Sequence, residues 1–418
     1  MQNSTLVYFY TYNIPLKTGN GFVVRNYSNL RSYVKLGYKI TGIYVTTESN
    51  PDMKNIDVHF PEVNWEIINP VSASKLFKFQ KRIGFWFGIH NKWLLESIFP
   101  FRSIINEDII RKKDHSPNAI YHFESISTAC GAYGVPEIKA IWSNHDYVSE
   151  RFVKIRKTRG IKLTIRDRFK HFIYHKRIKK TEDLIAKSSK LIVTVSESET
   201  IKYKVRWPKL NIYLLPISWS VEKIINKNKN RVENGELNLL HLGRVDGFLG
   251  SQSLKYILLK VFPLISKELL DKIKLSVVGF IGETELSIEM KNIISTYSNV
   301  DVLGFVDDLK PYYANSDLHV VGATIATGSR TRIIESFVFG LPVISTRESA
   351  DGLIGLENRS NILLADSPNE FADYLINILK NPDQLVSLKL NGRTLYDKYY
   401  HSKVVTKKLK NLLNKYVI

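Results

Sequence analysis

The 418-residue chain has 60 Lys and Arg against 40 Asp and Glu, a formal net charge of +20, with 44% hydrophobic and 24% charged residues. That composition belongs to a globular protein with room for about two or three domains. The single cysteine, Cys130, excludes an internal disulfide framework and fits a reducing cytoplasm. No clustered Cys/His spacing suggests zinc, and no uncharged run reaches the length a spanning helix needs. Met1-Gln2-Asn3-Ser4 lacks the basic start of a secretory signal, so none is expected.

In chain order, Leu6 to Tyr10 reads as a strand, followed by the loop Gly19-Asn20-Gly21, a helix-like stretch from Arg25 to Leu36, and a second strand from Ile40 to Val45. This is a βαβ unit. Further strands are expected at Ala119 to His122, Ala140 to Ser143 and Leu191 to Val195. Trp142-Ser143-Asn144-His145-Asp146 places His145 and Asp146 at a sheet's carboxyl edge, where open α/β sheets bind ligands. The pair reads equally as a capping Asp beside a surface His. Ser196 reads as a helix N-cap with Glu199 three residues on.

Between Arg151 and Lys180 roughly a dozen Lys and Arg face one acid, Asp167. Ile165, Phe169, Phe172 and Ile173 recur there at helical spacing, so one apolar and one basic face are expected. The segment is either a core-packed helix with a solvated basic side or an attachment to an anionic membrane surface. Phe85-Trp86-Phe87, with Trp93 and Phe99, is a second aromatic group suited to lipid contact or to burial.

After the polar segment Asn226 to Glu236 the alternation restarts with the run Leu237 to Arg244, and strands follow at Leu275 to Val278, Val300 to Leu303, Leu318 to Val321 and Val343 to Thr346. Repeated strand and helix in both halves predicts α/β architecture: two Rossmann-like, doubly wound parallel sheets, residues 1–215 and 216–400, then an amphipathic helix over 401–418. Gly328-Ser329-Arg330-Thr331 opens a helix after Leu318 to Val321, where free N–H groups and the dipole's positive end suit a phosphate. Arg330 and Arg332 add positive charge, and Glu335 can bridge the two hydroxyls of a ribose, although an ordinary surface carboxylate also fits.

The run Gly328 to Glu335 with Gly340-Leu341-Pro342-Val343 resembles the retaining glycosyltransferases of family 4. Arg332 stands where the closest subgroup has Lys, and Thr327 where the two-glutamate version has its first Glu. The resemblance implies a GT-B fold whose domains face across a cleft, with the last helix returning to the first domain. It also implies Arg244, in His241-Leu242-Gly243-Arg244, as a ligand of the donor diphosphate, although a pair with Asp246 would equally occupy it. The family's Lys-Gly pair is replaced by Leu249-Gly250. The same resemblance implies that Gly279 and Val306 border the base, that Gly19, Asn20 and Gly21 approach the donor, that Arg25 matches a basic residue after that loop, and that His145 meets the transferring sugar with Asp146 as its orienter or as acceptor base.

The implied reaction is metal-independent transfer from a nucleoside diphosphate sugar to a hydroxyl, with no cofactor. Charge suggests a glycan or lipid-linked acceptor of surface polysaccharide synthesis, met by a cytoplasmic enzyme peripheral on the inner membrane face. No nucleic-acid partner is expected, since the charge is confined to one stretch without a reading motif. A nucleotide-sugar 2-epimerase on the same scaffold and a basic nucleic-acid-binding protein are the competing functions.

Overall fold

A computed structural model describes residues 3–17, 19, 21–48, 51, 53, 58–69, 91–99, 101–145, 149, 164–219, 235–323 and 331–418. Two compact units emerge, Met1–Ser218 with Ser402–Ile418, and Trp219–His401.

The first unit is built on a seven-stranded sheet: β1 (Asn3–Thr11), β2 (Tyr38–Val45), β3 (Asn64–Ile68), β4 (Ile120–Glu124), β5 (Lys139–Asn144), β6 (Leu191–Thr194) and β7 (Ile212–Leu214). The order is β3-β2-β1-β4-β5-β6-β7, with every pairing parallel. Such strands are covered on both faces and read as nearly continuous apolar runs, as Leu6-Val7-Tyr8-Phe9-Tyr10 does. Alternation along β1 sends Tyr8 and Tyr10 into one core with Tyr121, Phe123 and Trp142, and Val7 and Phe9 into another with Ile120, Ile141 and Val193.

The second core is closed by two helices, Gly21–Lys35 and the last one, Ser402–Tyr416. Val405, Leu409, Leu412, Leu413 and Val417 recur at helical spacing and bury against Leu30, Tyr33, Ile120 and Leu191. Lys35 Nζ donates to Ser402 Oγ at 3.0 Å, and Thr406 Oγ1 to Ser32 Oγ at 3.1 Å, so the chain's end is fastened to the first helix.

The second unit repeats the plan with six strands: β8 (Leu237–Leu242), β9 (Ile273–Val278), β10 (Val300–Gly304), β11 (Leu318–Val321), β12 (Val343–Thr346) and β13 (Leu363–Ala365). The order is β10-β9-β8-β11-β12-β13, again all parallel. Leu237, Leu239, Leu275, Val277 and Val320 face one core, while Leu240, Leu242 and Val278 face the other side. In both sheets the chain reverses its direction of travel beside the first strand, between β1 and β4 and between β8 and β11. Crevices at such switch points, at the strands' carboxyl ends, are where open α/β sheets hold ligands.

The helix Ile165–Lys187 departs from the expected division into an apolar and a basic face. Phe169 and Phe172 are 60% and 55% exposed. At 3.6 residues per turn they share one arc of about 100° with Lys176, Lys179 and Lys180. The buried positions lie further along, at Ile178, Ile185 and Ala186. Residues 150–163 and Phe85-Trp86-Phe87 lie outside the described residues, and Phe99 packs against the first core. Ser196 is an N-cap, accepting the Glu199 N–H at 3.2 Å.

Leu409 is fully buried among the first unit's residues. Its replacement by alanine is expected to lower unfolding free energy by about 2–5 kcal/mol in urea titrations. A loss under about 1 kcal/mol would show that the last helix does not complete this core.

Candidate active site

The carboxyl edge of the second sheet is drawn together by backbone contacts, with two glycines at points where a Cβ would collide. Gly243 N donates to Val278 O at 3.0 Å, Val245 N to Phe280 O at 2.9 Å, and Gly279 N to Gly304 O at 2.8 Å. A Cβ on Gly279 would lie 1.8 Å from Gly243 O, and one on Gly250 would lie 1.8 Å from Arg244 O. Gly250 thus lets the helix Phe248–Tyr256 start tight against the strand end, a packing role that does not depend on the lysine of the family's Lys-Gly pair, replaced here by Leu249.

Arg244 leaves this edge with its side chain 71% exposed. Its guanidinium forks onto Asp246, Nε to Oδ1 at 3.0 Å and NH2 to Oδ2 at 2.8 Å, and it lies 5.3 Å from the Phe280 ring centre. The hydrogen bonds from Arg244 hold the Asp246 carboxyl below its usual range. The expected diphosphate ligand is therefore paired with a carboxylate whose own side chain is 6% exposed, and an anion reaching the exposed guanidinium would compete with Asp246 for it.

Thr331 begins the described part of the helix Thr331–Phe339. Gly328, Ser329, Arg330 and Thr327 lie outside the described residues. Arg332 and Glu335 do not stand apart as charge and carboxylate: NH1 of Arg332 donates to Oε2 of Glu335 at 2.7 Å. Against the cost of burial, Glu335 and Tyr313 raise the Arg332 pKa. Ser336 Oγ donates to Arg332 O at 2.9 Å and meets His319 Nδ1 at 2.7 Å, anchoring the helix to β11. Burial, with the charges of His241 and Arg332, pushes His319 down to about 3, so this anchor is neutral. Tyr313 stacks on Phe339 at 4.5 Å in the apolar cluster of Leu240, Leu242 and Val278, against which Val306 packs. Gly243, Arg244, Gly279, Val306, Thr331, Arg332 and Glu335 thus all belong to one unit, at or beside its strand ends.

In the first unit, Gly19 holds a φ of +131° and Gly21 begins the helix Gly21–Lys35. The next residue, Phe22, stacks on the His145 ring at 4.9 Å, bringing that loop to the end of β5. Asn20 and Asp146 lie outside the described residues. Among the described residues His145 pairs with Glu124, the last residue of β4, whose Oε2 meets Nε2 at 2.8 Å. Sequence reading ended this strand at His122 and so stopped short of Glu124. The signal available was the alternation Ile120, His122, Glu124, which puts all three on one face.

Residues 236–381 match the family model described as glycosyl transferases group 1. No curated protein matches the chain by sequence. Among solved structures, HepE of Anabaena in complex with UDP and glucose is similar over 99% of this chain and 100% of its own, at 12% identity and a TM-score of 0.67. S. aureus TarM, in complex with fondaparinux, alpha-GlcNAc-glycerol and UDP, is similar over 98% and 100% at 11% identity and a TM-score of 0.69. The fold is that of the GT-B glycosyltransferases. WaaG, a glycosyltransferase involved in lipopolysaccharide biosynthesis, shares it over 98% of this chain and 100% of its own, at 15% identity and a TM-score of 0.59. At such identities these likenesses establish the GT-B fold, and the family match covers the unit that carries Gly243, Arg244, Gly279 and Glu335.

Gly279→Ala would drive a methyl into Gly243 O. The variant is expected to lose about 1–3 kcal/mol of stability in thermal or chemical denaturation. A fully stable Gly279→Ala protein would mean that the strand ends are not in this close approach.

Proposed function

We propose that the protein is a retaining glycosyltransferase of family 4, transferring a sugar from a nucleoside diphosphate sugar to a hydroxyl acceptor. The observation that carries this reading is the second unit's edge, where the backbone packs so closely at Gly279 and Gly250 that no Cβ fits, Arg244 projects exposed, and the helix after β11 carries the paired Arg332 and Glu335. The family match over residues 236–381 supports the same assignment.

Departure of the diphosphate concentrates negative charge on the leaving oxygens. Arg244, Arg330, Arg332 and the amino end of the helix carrying Thr331 are proposed to stabilise that charge, an arrangement that requires no metal and no cofactor. Arg244 would exchange Asp246 for phosphate on binding. Glu335 would take two ribose hydroxyls while Arg332, paired with it at 2.7 Å, holds it in orientation. Gly279 and Val306 would border the base, with Gly19, Asn20 and Gly21 near the donor. His145 would hydrogen-bond the transferring sugar, and the leaving phosphate would help to remove the acceptor's proton. HepE binds UDP and glucose, and TarM binds UDP with a glycosylated glycerol, which supports a nucleotide-sugar donor here.

The acceptor is proposed to be a lipid-linked glycan of surface polysaccharide synthesis, reached by a cytoplasmic, peripheral enzyme. Among the described residues no helix is long and apolar enough to cross a membrane. The exposed arc of Phe169, Phe172, Lys176, Lys179 and Lys180 combines aromatic side chains with lysines, a chemistry suited to an anionic lipid surface. WaaG, acting in lipopolysaccharide biosynthesis, is a neighbour consistent with such a role.

Thermal-shift measurements should show stabilisation by UDP or GDP and their sugars, lost in Arg244→Ala and in Glu335→Ala. Variants that respond as the parent does would place the donor elsewhere. In flotation assays the protein should bind phosphatidylglycerol vesicles at low salt, and Phe169→Ser with Phe172→Ser should weaken partition about tenfold. Salt-insensitive or absent binding would remove the membrane from the account.

A further inference from the structure

A chain of buried polar groups runs beneath the helix Gly21–Lys35 to the end of β5. Tyr33 Oη meets His122 Nδ1 at 2.9 Å, and His122 Nε2 meets Glu124 Oε1 at 2.8 Å. Asn29 Nδ2 donates to the same oxygen at 2.6 Å, while the other, Oε2, is left to His145 Nε2 at 2.8 Å. Burial alone would raise the Glu124 carboxyl, but the charges and hydrogen bonds of His122 and His145 outweigh it and hold the group well below the usual carboxylate range. An ionised carboxylate only accepts, so His145 must give it the Nε2 proton. The Nδ1 atom makes no hydrogen bond among the described residues, and the ring face is fixed by Phe22.

The backbone at this point is strained. Ser125, directly after Glu124, holds φ +79° and ψ 163°, a region that residues with a side chain rarely enter. Its N–H donates to Ser143 O at 2.9 Å, so the turn is pinned to β5. Strain of this kind costs about 1–3 kcal/mol and persists where surrounding contacts enforce it.

We propose that Glu124 is a positioning residue: it commits the Nε2 proton of His145 inward, so that Nδ1 is the atom this ring offers to a bound ligand. The consequence for transfer rests on the glycosyltransferase reading, whereas the tautomer does not. Glu124→Gln discriminates sharply. With Asn29 and His122 donating as they do to Glu124, the amide oxygen stays on their side, which turns the NH2 toward His145 and makes Nε2 an acceptor, so the ring proton moves to Nδ1.

The test is long-range 1H–15N NMR at alkaline pH on full-length protein with labelled histidine, His145 being identified by the signal lost in His145→Gln. The parent should show the Nε2–H tautomer at His145, and folded Glu124→Gln the Nδ1–H tautomer. An Nδ1–H tautomer in the parent would overturn the proposal even if the variant failed to fold, and so would an unchanged tautomer in a folded variant. In turnover of a nucleotide sugar, Glu124→Gln should lower kcat on the order of a hundredfold with donor KM little changed. Unchanged kcat would refute the positioning role. A parent that turns over no nucleotide sugar would count against the glycosyltransferase reading alone, with the tautomer still deciding the role of Glu124.

Discussion

Every strand pairing described in the two sheets is parallel, and the placement of functional groups follows from that constraint. Parallel strands end on one edge, and the helices that follow begin there, so free N–H groups and loop side chains collect along it. At the switch between β8 and β11 stand Gly243 and Arg244. At the switch between β1 and β4 stand the Gly19–Gly21 loop and Glu124.

The two units use this edge by different physics. The second relies on backbone: strand ends brought so close that a methyl cannot enter, with exposed or partly exposed charges at their rim. The first relies on side chains. The helix Gly21–Lys35 buries Arg25, Asn26, Ser28, Asn29 and Ser32, an unusually polar face for a helix against a sheet. Most of these groups find partners: Arg25 Nε meets Ser143 Oγ at 3.4 Å and NH1 donates to Leu215 O, Asn26 Nδ2 meets Thr11 Oγ1 at 2.6 Å, and Ser28 Oγ meets Ser218 Oγ at 2.7 Å. Burial pulls Arg25 down to about 10, against the opposing charges of Glu124 and Glu199. Such a network adds little net stability compared with an apolar face, but it fixes groups in place.

Much of this architecture was legible because the central strands are apolar runs of the length strands favour. Leu318 to Val321 and Val343 to Thr346 were read to the residue. The strands that escaped, β3, β7 and β13, have five, three and three residues and carry too little periodicity to declare themselves. Phe169 and Phe172 stayed open between core and surface in the sequence because spacing shows that two side chains share a face, not that anything covers it. Arg332 and Glu335 were legible as charges, but their mutual pairing is a matter of rotamer that a sequence does not carry. Glu124 was missed for a related reason: its carboxylate acquires meaning only from His145, on the neighbouring strand's end.

The most direct measurement is a crystal structure of the full-length protein with UDP or GDP bound. The account predicts the diphosphate at the amino end of the helix beginning at Thr331, within hydrogen-bond distance of Arg244, and the ribose hydroxyls on the Glu335 carboxylate. A nucleotide found away from the ends of β8, β9 and β11, with Arg244 still on Asp246 and Glu335 touching only Arg332, would contradict it.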